Sequence, residues 1–160
     1  MFCNYFFKDG KPKLKYEQHP GINVLLSMQG YQIMGPKAYI VFEKCTSSLG
    51  EMLFDIYEET DVEDNEEKTE KCYVIVHKPI YKELRESSQF IKNFIFQIAE
   101  ALDLLEGANL VHSDLKTSNI LINLTPDMKE YSFKLIDYGS SFFFENLKQY
   151  RLATPEYMPP

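Results

Sequence analysis

At 160 residues, with 44% hydrophobic, 14% aromatic and 26% charged side chains, the chain is too apolar for disorder and too ordinary in composition for a collagen-like or low-complexity polymer. Its length is that of one domain or of a piece of a larger one. Seventeen basic against 24 acidic residues give a net charge of −7, which argues against a duplex nucleic-acid partner, because neutralising phosphates needs a basic face.

In chain order, Met1 to Phe7 is aromatic but has no basic lead-in, and Lys8-Asp-Gly-Lys-Pro-Lys13 cuts it short, so it does not read as a signal peptide. Gly10 and Pro12 interrupt any helix there. Ile22 to Met28 and Tyr39 to Glu43 read as two short buried strands joined across the turn-prone Gln29-Gly30 and Gly35-Pro36. Leu49 to Tyr57 reads as a short helix. Between Glu58 and Lys71 lie eight acids and two lysines, which read as a solvated insertion, or else as a docking surface for a partner or a phosphorylation-linked element. Ser87 to Glu106 is the strongest helix: Phe90, Ile91, Phe94, Ile95, Ile98, Ala99, Leu102 and Leu105 recur at steps of three and four, Ser87 or Ser88 can cap the start, and Gly107 stands where a helix would end. Leu110-Val111, Ile120 to Asn123 and Phe133 to Ile136 then read as short strands. Cys3, Cys45 and Cys72 are odd in number and widely spaced, which offers no disulfide framework or metal knuckle and suits a reducing, intracellular setting, cytoplasmic or nuclear. No apolar run approaches the length of a membrane span, and the sequon Asn123-Leu-Thr125 is expected to be unused.

The chemistry concentrates at Leu110-Val-His112-Ser-Asp114-Leu-Lys116-Thr-Ser-Asn119. A carboxylate, an ammonium and a carboxamide sit on one loop between two apolar segments. Such groups suit phosphoryl transfer: an oxygen accepts a hydroxyl proton, a cation meets phosphate charge, and an amide oxygen holds a hard metal. Lys134-Leu-Ile-Asp137-Tyr-Gly139 places a second carboxylate at a strand end, before a glycine that lets the chain turn. The blander alternatives are a loop-capping Asp114, a surface Lys116, a turn amide at Asn119 and an Asx turn at Asp137.

These two segments resemble the H-R-D-L-x-x-x-N catalytic loop and the D-F-G motif of eukaryotic protein kinases. Chance would match the five loop positions on the order of once in three million starting points. Gln18-His-Pro-Gly-Ile22 is similar to the turn entering strand four of that family, Tyr39 to Cys45 to strand five and the hinge, and Ala153-Thr-Pro-Glu-Tyr-Met-Pro-Pro160 to the end of the activation segment. The H-S-D-L-K, K-L-I-D and Y-M-P-P spellings also resemble the spindle-checkpoint (monopolar-spindle) kinases.

The resemblance implies an α+β, two-lobed kinase fold, present in part. Residues 1–43 would be a remnant of the small lobe. Residues 44–160 would supply the hinge, the acidic insertion near 58–71, the catalytic loop and the activation segment. It implies ATP and Mg²⁺ as cofactors and a protein substrate. Asp114 would orient and deprotonate a Ser or Thr hydroxyl, Lys116 would stabilise the moving phosphoryl, Asn119 and Asp137 would hold the metal, and Thr154 would contact Asp114 and Lys116. Phe42 becomes the gatekeeper, the backbone of Glu43 and Cys45 meets the adenine edge, and Leu121 joins the nucleotide contacts. His112 would be a packed residue of a hydrophobic spine with Tyr138, Leu25 and Leu14, and Phe142-Phe-Phe144 packing in the activation segment.

The departures carry their own expectations. No glycine-rich phosphate loop precedes Gln18, no V-A-I-K-type lysine is present, and the position of the ion-pairing glutamate falls at Gly10. The 160 residues alone are therefore expected to transfer phosphate poorly, and a pseudokinase-like binding or scaffold module is the alternative. Ser113 stands in place of the arginine that receives a phosphorylated activation loop, so activation by that route is not expected.

Overall fold

The computed structural model describes residues 3–60, 71–124, 130–149 and 154–157. It begins with a four-residue helix α1 (Cys3–Phe6) and the two-residue strands β1 (Phe7–Lys8) and β2 (Lys11–Pro12), which close around Gly10 at φ 75°. Pro20–Val24 is a 3₁₀ turn, not the expected strand. Pro20 supplies the fixed φ of a first helical position, and the His19 ring caps the turn by accepting from the Gly21 N–H. The Ile22-Val-Leu run is buried as expected, but a short apolar run does not by itself distinguish a turn of helix from a strand.

Strands β3 (Met28–Met34) and β4 (Lys37–Phe42) form an antiparallel hairpin turning at Gly35, φ 58°. Gln29-Gly30 is a register irregularity inside β3, not a turn. The expected burial of this segment is not found: Tyr39, Val41 and Phe42 are exposed, as are Tyr31 and Ile33 across from them. Strand β5 (Ser47–Ser48) leads into α2 (Leu49–Leu53), which opens with a reciprocal capping box between Ser48 and Glu51. The helix expected as far as Tyr57 stops at Leu53. From there β6 (Phe54–Thr60) pairs over seven residues with β7 (Lys71–His77), a partner too distant in sequence for local periodicity to reveal. The tip of the acidic stretch, 61–70, lies outside the described residues.

Helix α3 (Pro79–Glu86) is followed by α4 (Ser88–Gly107), with the Ser87 hydroxyl accepting from the Phe90 N–H as the expected cap. Gly107 belongs to the helix. The residue that turns left-handed behind it is Asn109, φ 54°, an amino acid that tolerates that region. The buried stripe of α4 is Phe90, Ala101, Leu104 and Leu105, flanked by half-buried Phe94 and Ile98. Ile91, Ile95 and Leu102, expected on this face, are exposed.

Strands β8 (Leu110–Val111), β9 (Ile120–Leu124), β10 (Tyr131–Leu135) and β11 (Phe142–Phe143) complete the named elements. Strand β9 lies between β10 and β5 in a three-stranded sheet, and β11 pairs with β8. One edge of β10 is taken up by α4: Asn93 and Gln97 donate to the Tyr131 carbonyl, and Gln97 Oε1 accepts from the Phe133 N–H. Phe133 is fully buried there, edge-on to Phe90 and Phe94. This seam fixes α4 against the strands that lead into and out of the two motif loops.

Candidate active site

Both motif loops grow from the β9–β10 ladder. The last pair of that ladder is Leu135 opposite Ile120, and the Ile136 N–H donates to the Asn119 carbonyl at 3.0 Å. The segments bearing Asn119 and Asp137 are thereby held side by side.

Asp114 is the centre of the cluster. Lys116 Nζ lies 2.8 Å from its Oδ2, Asn119 Nδ2 donates to the same oxygen at 2.9 Å and to the Asp114 carbonyl at 2.8 Å, and the Thr154 hydroxyl donates to Oδ1 at 2.5 Å. Lys116 also donates to Thr154 Oγ1 at 3.0 Å. The Lys116 hydrogen bond first, then those of Thr154 and Asn119, hold the Asp114 carboxyl down at about 2, while the bond to Asp114 raises the Lys116 ammonium. These two shifts are the two sides of one interaction. The carboxylate is thus ionised throughout the neutral range, and Thr154 is tied to the loop although it lies far along the chain.

His112 is buried and engaged at both nitrogens. Its Nε2–H donates to the Ile136 carbonyl at 2.8 Å, and Nδ1 accepts from the Asp114 N–H at 3.3 Å. The imidazole is therefore neutral, and burial pushes its pKa below the ordinary value. Its ring meets Tyr138 edge-on at 5.0 Å, and Leu25 is buried in the same core. Leu14 is 88% exposed and takes no part in that core: the chain turns between Lys13 and His19 through backbone bonds that leave its side chain outside.

Two serine bonds join the motif loops. Ser113, at φ 65°, donates to the Ser140 carbonyl at 2.7 Å, and Ser141 donates to the His112 carbonyl at 3.1 Å. The sharp turn expected at Gly139 is made by Asp137, φ 60°, whose Oδ1 accepts from the Gly139 N–H at 3.2 Å. Asp137 is thus an Asx-turn former, and that bond engages one of its two carboxylate oxygens.

Two cavities flank the loop. One of about 710 Å³ is lined by Asp114, Thr154, Leu115 and Phe144, and the other, about 1160 Å³, by Cys45, Leu121, Ile136 and Lys116. Tyr157 borders both, and its hydroxyl lies 3.2 Å from Thr117 Oγ1. Cys45 is a free thiol, raised by burial and then by Glu43. Phe42 and Glu43 line neither cavity. The Glu43 side chain instead accepts from the Ser27 N–H at 2.7 Å and pairs with Lys134 at 3.0 Å, a tie between the end of β4 and β10 that no local motif announces. Asn123 likewise holds the chain between β4 and β5, accepting from the Thr46 N–H at 3.0 Å. In the Phe142-Phe-Phe144 run, Phe142 is buried, Phe143 packs against the core and Phe144 is exposed. Ala153, Pro159 and Pro160 lie outside the described residues.

The family model described as "Protein kinase domain" matches residues 15–160. The chain belongs to the protein kinase family. Its mixed helices and antiparallel sheets are those of a partial kinase-like α+β fold. Among curated proteins it is similar to an "Aurora kinase" of Yarrowia lipolytica, 33% identical over 91 residues, which make up 54% of this chain and 23% of that one. It is similar to the "Probable serine/threonine-protein kinase yakA" of Dictyostelium discoideum, 34% identical over 74 residues, 46% of this chain and 5% of that one. A third relative is the "Mitogen-activated protein kinase mpkC" of Aspergillus clavatus, 48% identical over 48 residues, 30% of this chain and 13% of that one. The kinase-family chain thus spans less than a quarter of the length of each. Among the described residues, no helix is long and apolar enough to cross a membrane.

Proposed function

We propose that this kinase-family chain carries the phosphotransfer site of a protein serine/threonine kinase, which moves the γ-phosphoryl of ATP to a hydroxyl of a protein substrate. The observation that supports it most is the closed Asp114–Lys116–Asn119–Thr154 cluster. Asp114, held ionised, orients the substrate hydroxyl and takes its proton as the bond to phosphorus forms. Lys116 faces charge spreading over the transferred group. Positioning and fixed charge supply most of the acceleration in such reactions.

The donor set at the two motif loops fits Mg²⁺. The amide nitrogen of Asn119 is committed to Asp114, which leaves its amide oxygen as the ligand atom. Asp137 adds a carboxylate from the neighbouring segment, and hard oxygens of this kind hold Mg²⁺ together with substrate phosphates. The ion, when bound, neutralises phosphate charge. Leu121 and Cys45 border the larger cavity, where they would meet the base of the nucleotide.

Incubation with Mg-ATP and a protein substrate tests this. Transfer to Ser or Thr is expected, and Asp114→Asn is expected to lower it by about 10²–10⁴-fold. Transfer undiminished in that variant overturns the reading, and nucleotide binding with no transfer at all favours the scaffold alternative.

A further inference from the structure

We infer that Ser113 and Ser141 are positioning residues for the metal donors of this chain: together they clamp the turn that carries Asp137 and so aim its carboxylate beside Asn119. Their role rests on the phosphotransfer reading and adds to it two residues outside the donor set. Asp137 is exposed, and an exposed side chain changes rotamer within nanoseconds unless something holds it. What holds it is the 3₁₀ turn Tyr138–Ser140. One carboxylate oxygen accepts from the Gly139 N–H at 3.2 Å, and the turn closes with the Ser141 N–H on the Tyr138 carbonyl at 3.1 Å. The carboxylate therefore points wherever this turn points.

Before the turn, Ile136 is fixed on both sides: its N–H goes to the Asn119 carbonyl and its carbonyl accepts from His112. Beyond the turn, β11 pairs with β8 from Phe142 onward. Between these two anchors the tie is made by hydroxyls. Ser113 donates to the Ser140 carbonyl at 2.7 Å, and Ser141 donates back to the His112 carbonyl at 3.1 Å. One such bond would leave a pivot; two in opposite directions between the same segments fix both separation and rotation. Ser141 is buried, where water competes little for its bond. Ser113 stands at φ 65° next to Asp114, a region unfavourable for a residue with a Cβ. A strained residue kept in place by its bonds beside a reactive carboxylate points to pre-organisation. Glycine would relax that backbone but has no hydroxyl to donate, so strain and bond can be separated.

The test is binding of a fluorescent N-methylanthraniloyl ATP to the whole chain, titrated once with Mg²⁺ and once with EDTA. The ratio of the two affinities reads what the metal donors contribute. The wild type is expected to bind more tightly with Mg²⁺. Ser113→Ala and Ser141→Ala are each expected to cut that gain by about 10-fold or more, the usual cost of losing a group that orients metal ligands, with the affinity in EDTA unchanged. Ser113→Gly is expected to unfold at a higher temperature than Ser113→Ala and yet to lose the gain equally, a split that a merely structural role would not produce. Three results overturn the inference and leave the phosphotransfer reading standing: a gain retained in both alanine variants, a loss of equal size with and without Mg²⁺, or a gain restored by Ser113→Gly. A wild type that binds the nucleotide with no gain from Mg²⁺ overturns it as well. A wild type that binds in neither condition removes the phosphotransfer reading, and the role of the two serines falls with it.

Discussion

His112 shows how one buried ring can brace two loops at once. Its Nε2–H and Nδ1 fix the Ile136 carbonyl and the Asp114 N–H, so that one neutral ring spaces the two motif loops. Its pKa lies below 6.5 in the folded state because burial opposes the charge. The unfolded chain then binds a proton that the folded chain refuses. Stability from this residue is complete above about pH 6.5 and is lost as pH falls below it. His112→Phe keeps the ring contact with Tyr138 but leaves the Ile136 carbonyl unpaired, and is expected to lower stability by about 1–3 kcal/mol at pH 7.5. Denaturant unfolding at pH 7.5 and 5.5 checks both statements: the variant should lose less stability between the two than the parent, and an equal loss in both would remove His112 from the account. At this scale the sequence was most legible where the interacting side chains lie close together in the chain. Asp114, Lys116 and Asn119 fall within six positions, and their spacing alone suggested their chemistry. Glu43 with Lys134, or Ser113 with Ser140, meet only because the fold returns the chain, and nothing local marks them.

Among the elements, α4 organises the chain, and its closest neighbour is the 3₁₀ turn Pro20–Val24. A Cβ on Gly21 would stand 2.0 Å from the Glu100 carbonyl oxygen, nearer than atoms can approach. Gly21→Ala must therefore push the turn off the helix and strain the His19–Asp103 contact, 3.2 Å, that clasps it. Overpacking of this kind typically costs about 1–3 kcal/mol. A drop in thermal midpoint is expected, whereas Gly107→Ala, with open space around its Cβ position, should hold or raise it. A midpoint unmoved by Gly21→Ala would mean that the turn and the helix are not packed this way. Element boundaries were legible where a serine cap announces them, as at Ser87, and were missed at Pro20 and Pro79 and where a remote partner decides. The apolar residues of α4 encircle much of the helix, so periodicity identified the helix but misplaced its inner face: Ile91 and Ile95 point outward while Ala101 and Leu104 are buried. Phe54 to Thr60 became strand because Lys71 to His77 lies beside it.

At the scale of the whole molecule, most of the exposed large hydrophobic side chains among the described residues sit on two ribbons, β3–β4 and β6–β7, each a sheet of only two strands. Tyr31 and Ile33 on one face of β3–β4, Tyr39 and Val41 on the other, meet solvent. Open ribbon edges with apolar faces pair with other chains. The 160 residues in isolation are therefore expected to self-associate through β3–β4, the ribbon without the acidic stretch. Light scattering across a roughly 100-fold dilution series should show mass falling with concentration, and Ile33→Thr with Val41→Thr should shift the chain toward monomer. A constant monomer mass in the parent would contradict this.

Asn123 carries a consequence of another kind. Its side-chain nitrogen, the atom to which an N-linked sugar would be joined, lies 3.7 Å from Cys45 Sγ, and its oxygen holds the Thr46 N–H. A glycan there would occupy the space of the cysteine and unseat the segment that borders the larger cavity. Glycosylation at this asparagine and the folded arrangement exclude each other, so the modification could reach only chains that have not yet folded and would trap them in that state.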